Sequence, residues 1–203
     1  MAHLRRPLQI ALGLNTAVLV MEGAGGVHAN SLSLIMDSVH NLSDELGLGF
    51  LVLAYTLRSG LSGRFLRSAN FFNSAGLLAI SGFFIWQAIE RVAEPVHVLG
   101  IVPVLAGVLG AIGNWGVARV LREPSREDAA IRIAYVHNLG DTLLSLAPVM
   151  AGGLTLAFRS FVFDPLIALG LGAVIAVTTV RALVGSRGEL LWPGNVVCGA
   201  PRS

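Results

Sequence analysis

Two short segments carry the residue types that chemistry would need. Val39-His40-Asn41-Leu42-Ser43-Asp44 recurs almost unchanged as Val136-His137-Asn138-Leu139-Gly140-Asp141, with five of six positions identical. In each copy a His and an Asp stand four residues apart, which on a helix places both side chains on one face, one turn apart. Each copy lies within a long apolar run. An ionisable group at the centre of a membrane helix costs roughly 2.5–3.5 kcal/mol on insertion scales. A chain that carries this cost twice, with the same residues at the same spacing, is organised to hold something. Imidazole nitrogens and carboxylate oxygens together suit a divalent transition metal, and four such ligands suit tetrahedral zinc. The simpler reading is a pair of His–Asp clasps that satisfy each other between helices.

The rest of the chain must deliver these residues to membrane depth. Of 203 residues, 54% are hydrophobic and 13% charged. A soluble domain carries about 25% charged residues. This composition predicts an all-α, polytopic membrane protein whose partner is the lipid bilayer. The basic balance comes from arginine alone, since lysine is absent, and the arginines are scattered between apolar runs rather than clustered as a nucleic-acid surface requires. The single Cys198 excludes an internal disulfide framework and a Cys-rich zinc site.

Six runs are long enough to cross a bilayer, at about 20 residues each: 8–27, 31–57, 69–92, 97–119, 129–157 and 163–184. The first has a basic start at Arg5 and Arg6, as a signal peptide does, but Asn15 and Glu22 interrupt its apolar core, so it reads as a retained helix. Twelve of the fourteen arginines fall on one side of this arrangement, leaving Arg91 and Arg159 on the other. The positive-inside rule then puts both termini in the cytoplasm. Helices 2 and 5 become antiparallel, and each His–Asp pair lies about 12–18 Å along its helix, near the middle of a ~30 Å core. Both pairs can converge on one ion. Their inverted orientation is compatible with the inverted repeats of many transporters.

Other polar residues have quieter readings. Asp37 lies one turn before His40 and is an accessory metal ligand, a funnel residue, or a hydrogen-bonded residue at the start of its helix. Glu45 is turned about 100° from Asp44 and faces another helix. Glu22 and Asn114 serve packing or pore lining. His28 and His97 lie on the outer side, in solvent. Trp86, Trp115 and Trp192 are interfacial or packing aromatics. Gly23 to Gly26 permits close helix packing and is not a phosphate loop.

The segment Asn30-Ser31-Leu32-Ser33-Leu34-Ile35-Met36-Asp37-Ser38-Val39-His40-Asn41-Leu42-Ser43-Asp44 resembles the second-helix signature of the cation diffusion facilitator family. Ala134-Tyr135-Val136-His137-Asn138-Leu139-Gly140-Asp141 resembles its fifth-helix signature. Asn15, Glu22, Asn114 and Asp164-Pro165 are similar to the family pattern as well. The resemblance implies six helices and proton-coupled export of a divalent metal. It carries the transport site onto His40, Asp44, His137 and Asp141, with Zn²⁺ as the transported ion, protons as counter-ion and no catalytic residues. Members usually continue into a cytoplasmic domain that binds metal and dimerises. Here residues 1–184 read as the transport domain and 185–203 as a short cytoplasmic tail, so any homodimer would form through the helix bundle. The expected location is a bacterial inner membrane.

Alternating access around this one site would let metal compete with protons, because binding needs neutral His and ionised Asp. Cd²⁺ or Co²⁺ on the same ligands is the alternative cargo. Two readings of another class stay open: an intramembrane metallohydrolase, although the chain lacks H-E-x-x-H, and a membrane scaffold that binds metal without moving it.

Overall fold

The computed structural model describes residues 2–57 and 63–185. Among the described residues there are eight helices and no strand: α1 (Ala2–Ala29), α2 (Leu32–Thr56), α3 (Gly63–Ala93), α4 (Ile101–Leu121), α5 (Pro124–Glu127), α6 (Ala129–Leu144), α7 (Leu146–Phe158) and α8 (Phe163–Gly185). Five stretches are long and apolar enough to cross a membrane: Leu4–Ala29, Phe71–Ala93, Ile101–Leu121, Ala129–Phe158 and Phe163–Arg181. The remaining long helix, α2, has 25 residues, about 37 Å at 1.5 Å rise, and carries three acids, Asp37, Asp44 and Glu45. With α2 as the sixth crossing, the protein is an integral membrane helix bundle. Its outer surface is apolar, with Val27, Phe72, Trp86, Trp115 and Leu143 all exposed.

Four crossings form the part that matters for the site. α1 packs on α2 and α4, and α4 packs on α6 and α7, while α3 and α8 pair with each other and lean on α2. Without water between helices, association in a bilayer depends on close packing and interhelical hydrogen bonds. Both are visible. A Cβ on Gly152 of α7 would collide with the Gly100 carbonyl at the start of α4, so glycine lets those backbones touch. Gly26 faces Ile35, where a Cβ would come within 3.0 Å of the Ile35 amide nitrogen, consistent with close packing around the Gly23–Gly26 stretch.

The helix ends have local causes. The α1–α2 turn needs a left-handed residue, and Asn30 supplies it at φ 56°. Ser31 caps α2 by accepting from the Leu34 amide at 3.3 Å. Asp128 caps α6 by accepting from the Ala130 and Ile131 amides at 2.9 and 3.1 Å. The run read as one helix over 129–157 is broken at Ser145. Pro148 is the cause: it has no N–H for the Leu144 carbonyl, and its ring crowds that carbonyl. The other boundaries move by several residues: α1 begins at Ala2 rather than 8, α3 at Gly63 rather than 69, and α4 at Ile101 rather than 97. Arg58, Trp192, Cys198 and the tail from residue 186 lie outside the described residues.

Candidate metal centre

α2 and α6 run antiparallel, so each His of one helix meets the Asp of the other. His40 Nε2 lies 3.2 Å from Asp141 Oδ1, and His137 Nε2 lies 2.7 Å from Asp44 Oδ1. Within each helix the His–Asp separation is 3.8 Å. The two imidazole rings meet edge to face, with centroids 5.6 Å apart. One ligand atom from each of the four residues lies within 4.8 Å of every other. A tetrahedron with bonds of about 2.1 Å has edges of about 3.4 Å, so small side-chain movements would close this set on an ion.

Burial is uneven. The side chains of His40, Asp44 and Asp141 are 9%, 7% and 4% exposed, whereas that of His137 is 48% exposed. A surface groove of about 390 Å³, lined by Arg132, Ile133, Val136 and His137, opens on that side. On the enclosed side, His40 Nδ1, Asp44 Oδ2 and Asp141 Oδ2 are buried without a hydrogen-bond partner. Buried polar atoms are ordinarily paired. Asp44 Oδ2 and Asp141 Oδ2 each lie 3.8 Å from the His Nε2 of their own helix, so these two orphaned carboxylate oxygens sit among the four donors and fit a site that takes a divalent cation.

Surrounding residues fix this geometry. Asn15 Nδ2 donates to the Asn41 carbonyl at 3.2 Å and to Glu45 at 2.9 Å, and the Thr16 hydroxyl also donates to Glu45, tying α1 to the site-bearing turns of α2. Glu45 thus faces α1, as its angular position predicts. Asn114 Nδ2 donates to the Ser145 hydroxyl at 3.0 Å, fastening the α6–α7 break to α4. At the start of α2, the fully buried Asp164 accepts from Ser31 Oγ, Ser33 Oγ and the Leu32 amide, each at 2.6 Å. At its other end, the Tyr55 hydroxyl donates to Asp128 and Arg5 Nε donates to the Tyr55 carbonyl. Asp37 stands outside the four-residue set. His28 and His97 are exposed, the latter with its ring against Phe161.

Residue types alone missed Ser145, Tyr55 and the role of Asn41, whose amide donates to Glu22 at 2.6 Å. Pro148, four residues after Leu144, was the available signal for Ser145.

A family model, the cation efflux transmembrane domain, matches residues 8–191. The chain belongs to the cation diffusion facilitator family. It is 29% identical over 188 residues to a cadmium, cobalt and zinc/H(+)-K(+) antiporter of Bacillus subtilis (strain 168), covering 88% of this chain and 59% of that protein. It is 29% identical over 195 residues to the zinc transporter ZitB of Escherichia coli (strain K12), covering 92% and 62%. To the metal cation efflux system protein CzcD of Cupriavidus metallidurans it is 28% identical over 195 residues, covering 92% and 61%. The chain therefore spans about three fifths of the length of the curated relatives it matches. The three are named as an antiporter, a transporter and an efflux system protein.

Proposed function

We propose that this chain exports a divalent transition metal, Zn²⁺ first, in exchange for protons, by alternating access around His40, Asp44, His137 and Asp141. The observation that carries this reading is the convergence of two His–Asp pairs, from antiparallel helices, within 4.8 Å. Two carboxylates neutralise the ion and two neutral imidazoles complete a borderline-soft donor set. Cd²⁺ and Co²⁺ suit the same donors, and the name of the Bacillus subtilis relative includes both. Residues 1–184 form the transport unit, both termini face the cytoplasm of a bacterial inner membrane, and a homodimer forms through the helix bundle.

The test is zinc uptake into proteoliposomes, with X-ray absorption at the zinc edge of the loaded protein. The expected result is zinc flux and mixed N/O ligation at about 2.0–2.2 Å. Sulfur ligation, or unchanged zinc stoichiometry in His40→Ala/Asp141→Ala, refutes the site. Metal binding with no flux would instead make the chain a scaffold.

A further inference from the structure

The two motif copies differ at one position, Ser43 against Gly140, and Ser43 has a partner on another helix. Asn73 of α3 donates through Nδ2 to the Ser43 hydroxyl at 2.9 Å and to the Ser43 carbonyl at 3.3 Å. A carbonyl only accepts, so this contact fixes which end of the Asn73 amide points at α2. Asn73 lies within the apolar span Phe71–Ala93, where a polar side chain is costly.

Successive helix residues are turned by about 100°, which places Asp44, His40 and Ser43 about 60°, 100° and 160° round α2 from Asn41. Asn41 and Ser43 therefore flank the face that carries the two metal ligands. α1 holds the first flank: Asn15 donates to the Asn41 carbonyl at 3.2 Å and to Glu45 at 2.9 Å, and Asn41 donates to Glu22 at 2.6 Å. Asn73 holds the second. The corresponding positions of α6 are built differently. Asn138 and Thr142 turn back on their own helix, donating to the Ala134 and Asn138 carbonyls at 2.9 Å each, and a Cβ on Gly140 would meet nothing within 4 Å.

We infer that Asn73 is a positioning residue of the metal centre, which through Ser43 holds the α2 half of the site at a spacing that suits Zn²⁺ better than Cd²⁺. This deepens the reading of the four-residue site above and rests on that site, not on transport. Ligands held in place before binding lose less freedom when the ion arrives, so the brace adds affinity. It adds selectivity as well, because a braced pair resists the wider spacing that the larger Cd²⁺ needs from the same donors.

The experiment titrates the full chain in detergent with Zn²⁺ and with Cd²⁺ against a chelating dye. Asn73→Ala should weaken zinc binding about fivefold, the equivalent of one ordinary hydrogen bond. Cadmium binding should change by less than about twofold, so the zinc-to-cadmium affinity ratio falls. A general loosening of the bundle weakens both metals alike; an unchanged ratio, or unchanged zinc binding, overturns the proposal. Ser43→Ala should lower the ratio in the same direction, and Ser43→Thr, which keeps the hydroxyl, should not. Adding Ser43→Ala to Asn73→Ala should cost nothing further, since both remove one contact, and additive losses overturn the proposal. Where Asn73→Ala does not fold, the Ser43 variants decide alone: equal ratios in Ser43→Ala and Ser43→Thr overturn the brace. Unchanged zinc stoichiometry in His40→Ala/Asp141→Ala removes the site and the brace with it, whereas an unchanged ratio with that site intact removes the brace alone.

Discussion

His40→Ala and His137→Ala should weaken zinc binding unequally, although the two residues hold equivalent positions in the motif. Four-ligand zinc sites bind with about 10–16 kcal/mol, or about 3 kcal/mol per ligand, so one lost ligand corresponds to roughly 100-fold in affinity. His40 is enclosed, with Asp141 Oδ1 at 3.2 Å and Asp44 Oδ2 at 3.8 Å from its Nε2. Its removal leaves two carboxylates across a closed hole, and the full loss of about 100-fold should appear. His137 borders the open groove of about 390 Å³. Water can take its place there, as it does in zinc sites with three protein ligands, and the loss should shrink to about tenfold. Added imidazole should enter the same groove and restore binding to His137→Ala but not to His40→Ala. Competition with a chelating dye in detergent, with and without imidazole, measures both effects. Equal losses in the two variants, or rescue of His40→Ala, would refute the claim that the site is open on one side only.

Three further outcomes are expected. His40→Asp should lower the ratio of zinc to manganese transport rates, because an oxygen replaces a borderline nitrogen donor and adds charge; an unchanged ratio places selectivity elsewhere. Asp164→Ala should destabilise the bundle by about 3–5 kcal/mol, since it strands three buried donors on α2, and should lower the thermal unfolding midpoint by roughly 10 °C. Pro148→Ala lets the Leu144 carbonyl regain an i+4 donor, so α6 and α7 should fuse. The midpoint should then rise while zinc flux slows at unchanged zinc affinity, and flux at the native rate would mean that the break has no part in transport.

The four clustered residues could be read in the sequence because a membrane segment tolerates few polar groups, and those it keeps have work to do. Spacing along one helix was enough to predict that His and Asp share a face, and antiparallel helices at matched depth were enough to predict their meeting. Spacing says nothing about partners on other helices. Asn41 follows His40 directly, yet its amide donates to Glu22 of α1, and only the packing of α1 on α2 decides that. The break at Ser145 was also in reach, but the length of the apolar run outweighed one proline.

Along α2 these partnerships divide by depth. Asp164 of α8 holds the first turn, Glu22 of α1 accepts from Asn41, His40 and Asp44 face α6, and Asn15 and Thr16 of α1 hold Glu45. α2 is thus fastened to α1 and α8, while α6 and α7 are fastened to α4 through Asn114 and Ser145. Between α2 and α6 themselves packing is sparse, and the crossed His–Asp contacts are the principal polar link at mid-depth. An ion that drew all four side chains inward would therefore act between two helices whose other links, the Tyr55–Asp128 hydrogen bond and a shared apolar cluster, lie toward the C-terminal end of α2 and the start of α6. That pull would be exerted beside, and not within, the buried cluster that Leu48, Leu51 and Tyr55 of α2 share with Ala130 and Ile131 of α6.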